Sequence, residues 1–178
     1  IMLDREKTAL VVVDIQGNLA QAMSEKELLF ENAEKIIRGV QVFNIPVLVT
    51  EQVKLGSTIP GLTRFLGGVK PIVKESFSCC GDRRFMKELT TLNRKQILIT
   101  GIEAHVCVYQ TAMDLLNRGY EIYLVADAVS SRTIRNREIG IQKLKASGAV
   151  LTSAEMALFE LLKTAGDPKF KEIFKIVK

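Results

Sequence analysis

An α/β fold on a mostly parallel sheet is what this sequence predicts, and three observations carry it. Short runs rich in β-branched residues recur along the chain, stretches of helical period lie between most of them, and the runs are apolar at successive positions, as in Leu10-Val-Val-Val13. Alternation of strand with helix makes a sheet mostly parallel. A run without polar alternation suits a strand covered on both faces.

The elements follow in order. Ala9–Val13 is the first strand; Leu28, Leu29, Ala33, Ile36, Ile37, Val40 and Phe43 then recur at helical spacing before the second strand, Pro46–Thr50. Lys54–Gly68, holding Gly56, Pro60, Gly61, Gly67 and Gly68, reads as a long loop over the sheet. Pro71–Lys74 is the third strand, and Asp82 caps the next helix, with Phe85, Met86, Leu89 and Leu92 on its apolar face. Gln96–Thr100 is the fourth strand, leading into a helical stretch Val106–Arg118 that Gly119 stops. Glu121–Ala126 is the fifth, Gly148 ends the helix after it, and Ala149–Leu151 is the sixth. Thr152-Ser-Ala-Glu155 reads as a capping box opening a helix through Leu158, Leu161 and Leu162. Asp167-Pro168 reads as N-cap and first-turn proline of a docked terminal helix bearing Phe170, Ile173, Phe174 and Val177 on one stripe.

Composition bounds the rest. The 178 residues, 47% hydrophobic and 25% charged, fit one globular domain spanning 1–178. The net charge of +5 is spread among acids, as in Lys26-Glu-Leu-Leu-Phe-Glu31, which is a solvated surface rather than a nucleic-acid footprint. Three cysteines, two of them adjacent at Cys79 and Cys80, do not make a disulfide framework, so a reducing, cytoplasmic setting is expected. There is no basic segment followed by a long apolar run, and no apolar stretch approaches the ~18 residues of a membrane span. No membrane partner is expected.

In an open parallel sheet, ligands bind beyond the carboxyl ends of the strands where strand order reverses. The strand ends here are Asp14-Ile-Gln16, Thr50-Glu51-Gln52, Lys74 and the run leading to Cys107. They gather carboxylates, a lysine and a thiol at one edge, with Gln16, Glu51 and Gln52 as candidate substrate contacts. Taken singly each has a plainer reading: Cys107 as a small buried apolar side chain, Asp14 as a turn cap, Lys74 as a solvated cation. No G-x-S-x-G elbow, Walker loop or G-x-G-x-x-G is present, which disfavours serine-hydrolase, NTPase and dinucleotide chemistry. The only histidine, His105, lies two positions from Cys107, and on a helix such residues point apart. One histidine and no C-x-x-C pair leave no multi-histidine metal site, so no metal and no cofactor are expected. The base left for Cys107 is Asp14, with Lys74 holding positive charge beside the pair. A helix N-terminus and a lysine favour thiolate while the Asp14 carboxylate opposes it, so a thiol–carboxylate pair sharing a proton is expected, with the Cys107 thiol still below its ordinary value of about 8.5 and the reactive one, ahead of Cys79 and Cys80.

Four strings at strand ends, Val-Val-Val-Asp14-Ile-Gln16, Lys74-Glu-Ser-Phe-Ser78, Gly-Ile-Glu-Ala-His-Val-Cys107 and Ala126-Asp-Ala-Val-Ser-Ser-Arg132, resemble the isochorismatase-like cysteine hydrolase superfamily nearly end to end. Thr50-Glu51-Gln52, Leu55-Gly-Ser-Thr-Ile-Pro60 and the closing Pro-Lys-Phe-Lys-Glu-Ile segment resemble its isochorismatase domain-containing subgroup. The resemblance implies a three-layer α/β/α fold with a six-stranded parallel sheet in order 3-2-1-4-5-6, Rossmann-like, and a triad of Asp14, Lys74 and Cys107. It also implies a cis peptide at Ile102–Glu103, aiming the Glu103 N–H together with that of Cys107 at an oxyanion. The chain departs from the nicotinamidases, whose aspartate and histidines after the second strand bind a metal; here that region reads Thr-Glu-Gln-Val-Lys-Leu-Gly56. It departs from true isochorismatases too, which cleave a vinyl ether and can lack the cysteine, and Ala104 stands where related sequences often have threonine. The expected function is metal-independent hydrolysis of a small amide or related C–N substrate through a thioester, by a homo-oligomer. The alternatives are a vinyl-ether hydrolase with Cys107 idle, and an oligomeric scaffold or thiol redox sensor.

Overall fold

The computed structural model describes residues 1–178. Its strands are β1 (Thr8–Val13), β2 (Val47–Gln52), β3 (Ile72–Lys74), β4 (Gln96–Ile102), β5 (Glu121–Ser130) and β6 (Val150–Thr152). All pair in parallel, in the order β3-β2-β1-β4-β5-β6. Its helices are α1 (Gly17–Gln21), α2 (Lys26–Val42), α3 (Pro60–Thr63), α4 (Arg83–Leu92), α5 (Cys107–Asn117), α6 (Ile134–Ala146), α7 (Ala154–Leu162) and α8 (Phe170–Val177), with a 3-10 turn at Cys79–Gly81. No helix is long and apolar enough to cross a membrane.

The continuous apolar runs do what their pattern requires. All six residues of β1 are buried, because successive side chains enter opposite cores. Leu10 and Val12 pack with α2, α7 and α8, while Val11 and Val13 pack with Cys79 and the apolar faces of α4 and α5. Helices thus cover both faces, and the sheet order 3-2-1-4-5-6 is the one the resemblance implied.

Several local readings are corrected. The cap of α7 is Ser153, whose hydroxyl accepts the Met156 N–H at 3.0 Å, one residue beyond the expected Thr152, because Thr152 still belongs to β6. Asp167 accepts the Lys169 N–H at 2.8 Å and closes a turn, so α8 starts at Phe170 with Pro168 outside it. The buried stripe of α8 is Ile173, Ile176 and Val177, while Phe174 lies half exposed, stacked on Phe170 at 5.9 Å. The Lys54–Gly68 loop contains α3 and an antiparallel bridge from Thr58 to Gln16. β5 continues to Ser130 across a register shift: Ile99 pairs with Leu124 but Gly101 with Val129. Arg137 holds that irregularity by donating to the carbonyls of Val129 at 2.9 Å and Ala126 at 2.7 Å.

β1 lies between β2 and β4, so the chain's direction across the sheet reverses there and a crevice opens at the carboxyl ends of β1 and β4. Gly101 makes their approach possible. It pairs with Val13 at φ +134°, and a β-carbon there would collide with the Val13 carbonyl. Gly140 does the same for the turn beyond β4, since its own β-carbon would sit 2.7 Å from the Ala104 carbonyl oxygen. The backbone of α6 therefore braces residues 103–107.

Candidate active site

Asp14 follows β1 with φ +51°, in the left-handed region that aspartate tolerates better than most residues. Its N–H still donates to the Thr50 carbonyl at 3.2 Å, and its carboxylate is fixed from two sides. Oδ1 accepts the Thr50 hydroxyl at 2.8 Å, and Oδ2 accepts Lys74 Nζ at 2.9 Å. Lys74 ends β3, two strands away, and its side chain crosses the end of β2 to reach this point. Its ammonium also donates to Gln52 Oε1 at 2.7 Å and to the carbonyls of Ser76 at 2.9 Å and Phe77 at 3.0 Å. Both members of the ion pair are 1% exposed, so Lys74 is no solvated cation.

Cys107 opens α5, with its Sγ 3.9 Å from Lys74 Nζ and 8% of its surface exposed. Burial raises its pKa first, then the negative charge of Asp14 and a hydrogen bond to it, against the lowering effect of Lys74. The thiol is pushed up to about 12. This overturns the expected lowered value: desolvation by burial, added to the opposing carboxylate, outweighs a helix end and one lysine. Cys107 therefore rests as a thiol beside the Asp14 carboxylate. Cys79 is fully buried and likewise pushed up to about 12 by burial and by Asp14, and burial also raises Cys80. The alkaline stability curve should record this. The folded chain holds the Cys79 and Cys107 protons more tightly than the unfolded chain does, so their contribution is intact below pH 9.0 and is lost as pH rises towards 12. Unfolding free energies from denaturant titrations at about pH 8 to about pH 10.5 should fall by up to ~1.4 kcal/mol per pH unit per thiol, and Cys107→Ala should flatten the slope.

The Ile102–Glu103 peptide is cis, at the position the resemblance implied. The Glu103 carbonyl accepts the N–H groups of Val106 at 3.1 Å and Val108 at 3.2 Å, while the N–H groups of Glu103 and Cys107 take no acceptor within the chain. The Glu103 carboxylate accepts the N–H and Nε of Arg132, both at 3.0 Å. His105 pairs through Nδ1 with the Ser131 hydroxyl at 2.9 Å.

Gln16, Glu51 and Gln52, the candidate substrate contacts, make hydrogen bonds inside the protein, Glu51 through one of its two carboxylate oxygens. Gln16 is 0% exposed; its Nε2 donates to the carbonyls of Gln52 and Gly56, and its Oε1 accepts the Gln52 N–H at 2.6 Å. Glu51 Oε2 accepts both the N–H and hydroxyl of Thr58 at 2.7 Å. Gln52 holds Lys74 and donates to the Glu75 carbonyl. These three frame the site by tying the ends of β1 and β2 to the 54–59 loop. Sequence reasoning passed over Thr50, although its place opposite Val13 in the β1–β2 register is the signal that would find it. No three His, Cys, Asp or Glu side chains converge to hold a metal ion, and Asp14 is already bonded by Lys74 and Thr50.

A thiol, a buried carboxylate and a buried ammonium thus meet at the switch point of a 3-2-1-4-5-6 sheet. The isochorismatase domain matches residues 8–156, so the chain belongs to the isochorismatase family of hydrolases. It is 37% identical to a secreted isochorismatase effector of Phytophthora sojae, over 96% of this chain and 84% of the relative. It is 34% identical to isochorismatase domain-containing protein 2 of Danio rerio, over 98% and 89% respectively, which puts it with the domain-containing subgroup. The solved structure of the MAR1 ribonuclease of Caenorhabditis elegans superposes with a TM-score of 0.93 at 34% identity, over 99% of this chain and 92% of that one.

Proposed function

We propose that the protein is a metal-independent cysteine hydrolase of small amides or related C–N substrates. One observation carries the reading: the Cys107 thiol at the start of α5 lies beside a buried carboxylate that a lysine, 2.9 Å from it and 3.9 Å from the sulfur, holds in place. Asp14 takes the Cys107 proton as Sγ attacks the substrate carbonyl, and the N–H groups of Glu103 and Cys107 receive the oxyanion. Protonated Asp14 then gives its proton to the leaving nitrogen as the C–N bond breaks, leaving a thioester on Cys107. Water, deprotonated by Asp14, attacks the thioester; the acid departs and the proton returns to Cys107. Lys74 holds the Asp14 carboxylate in place throughout, and no cofactor enters. Gln16, Glu51 and Gln52 act on the frame rather than on the substrate. The exposed Met156 and Phe174 of the α7–α8 layer fit the homo-oligomer that forms part of this reading, as does a reducing, cytoplasmic setting for three unpaired cysteines.

A screen of small amides and imides, with isochorismate and an RNA oligonucleotide as comparisons, tests it by rapid quench and intact-mass analysis. The expected result is turnover of a C–N substrate with an acyl mass on Cys107 that hydroxylamine removes. The RNA arm is included because the similar Caenorhabditis elegans protein is described as a ribonuclease. Turnover of isochorismate or RNA alone, with no covalent adduct, would overturn the proposal.

A further inference from the structure

Asp14 stands at the end of a buried chain of donors that hydrolysis itself does not require. The Thr50 hydroxyl donates to Asp14 Oδ1 at 2.8 Å, and the same hydroxyl accepts the Cys79 S–H at 3.6 Å. Cys79 is held in turn by its N–H, which donates to Thr111 Oγ1 at 2.9 Å, and Thr111 lies on α5 one turn beyond Cys107. Thr50, Cys79 and Thr111 are all 0% exposed, so no water competes for these bonds. A hydroxyl has a single proton to give, and with a donor on its lone pair that proton points the other way. The Cys79 thiol therefore directs the Thr50 hydroxyl onto Asp14, and its burial keeps it a donor throughout the neutral range.

We propose that Thr50 is a positioning residue for the Asp14 carboxylate, and that Cys79, itself chemically silent, sets the direction of the Thr50 hydroxyl. The inference rests on the reading of Asp14 as the base. Lys74 and Thr50 grip one carboxylate oxygen each, so the plane of the carboxylate cannot turn, and its free lone pairs stay aimed for proton transfer. The charged or titratable groups that face Asp14 are Lys74 from β3, Cys107 from α5 and Cys79 from the 3-10 turn. A purely packing role at position 50 would be met by valine, which is β-branched and nearly isosteric. A donor role would not.

Capture of Cys107 by iodoacetamide, mapped by mass against pH, separates the two. Below its own ionisation Cys107 needs Asp14 to take its proton, whereas on the alkaline limb hydroxide does so. Thr50→Val should slow neutral capture about tenfold, the loss of one hydrogen bond to a charged group, and leave the alkaline limb in place. Thr50→Ser should restore the neutral rate, and Cys79→Ala, which frees the hydroxyl to turn, should slow it by about threefold. A Thr50→Val protein with native thermal unfolding and an unchanged neutral rate overturns the inference. Should that variant not fold, Cys79→Ala decides by the same comparison. Asp14→Asn separates this failure from a deeper one. If Asp14→Asn abolishes neutral capture while Thr50→Val and Cys79→Ala do nothing, only the positioning role is wrong; if Asp14→Asn has no effect either, the reading of Asp14 as base falls with it.

Discussion

Replacing Cys107 with alanine is expected to leave a folded protein whose C–N hydrolysis is about 10⁴-fold slower. The fold should tolerate the change. Cys107 is buried at the start of α5, and alanine removes only its sulfur while keeping the β-carbon. What remains is an oxyanion site and a base with no nucleophile beside it, and such remnants retain about 10³- to 10⁴-fold over water. Residues acting as a unit lose their effects together, so Asp14→Asn on top of Cys107→Ala should cost about as much as either alone. Substrate turnover and thermal unfolding, measured on the same preparations, check the expectation. A vinyl-ether hydrolase would behave differently, because Asp14 could protonate the substrate without help from sulfur and Cys107→Ala would keep its rate. A scaffold would keep its partners and show no turnover in any variant.

The sequence carries much of this site because strand ends can be read from it. Leu10-Val-Val-Val13 is apolar at every position and then stops at Asp14, so the reader knows both that β1 is central and where it ends. Cys107 follows from the same logic at β4. Lys74 is harder, since its chemistry depends on lying two strands from Asp14 in a sheet whose order local pattern does not encode; the family resemblance supplied that order. The thiol shows the limit most plainly. Helix position and lysine are visible along the chain, but the desolvation that outweighs them is a property of packing. The same holds for the irregularity in β5, where the pairing of Gly101 with Val129 instead of a nearer residue depends on Arg137 reaching across from α6. Cap positions slip by a residue or two for a simpler reason. Thr152 and Ser153 can both cap, and only the length of β6 decides between them.

Lys74→Met is expected to lower folding stability by about 3–5 kcal/mol, the usual cost of removing one partner from a buried ion pair. For a chain of this length that is a fall in thermal midpoint of about 10 °C. Methionine fills the volume of the lysine stem, so packing is nearly conserved and the loss is electrostatic. With the ammonium gone, the Asp14 carboxylate, 1% exposed, keeps only the Thr50 hydroxyl and the Cys107 thiol as side-chain donors, and Gln52 and the carbonyls of Ser76 and Phe77 lose theirs. The thiol should respond in the same experiment. Lys74 is the charge that lowers the Cys107 pKa, so its removal raises the thiol further and slows iodoacetamide capture. Adding Asp14→Asn to Lys74→Met should recover most of the stability, because the uncompensated charge is gone and an amide still accepts from Thr50. It should recover none of the capture rate, since the base is gone as well. That split, stability restored while reactivity stays lost, distinguishes an ion pair that serves the thiol from one that only holds strands together. A Lys74→Met protein within about 1 kcal/mol of wild type would mean that the pair is solvated in solution, and the electrostatic account of Cys107 would fail with it.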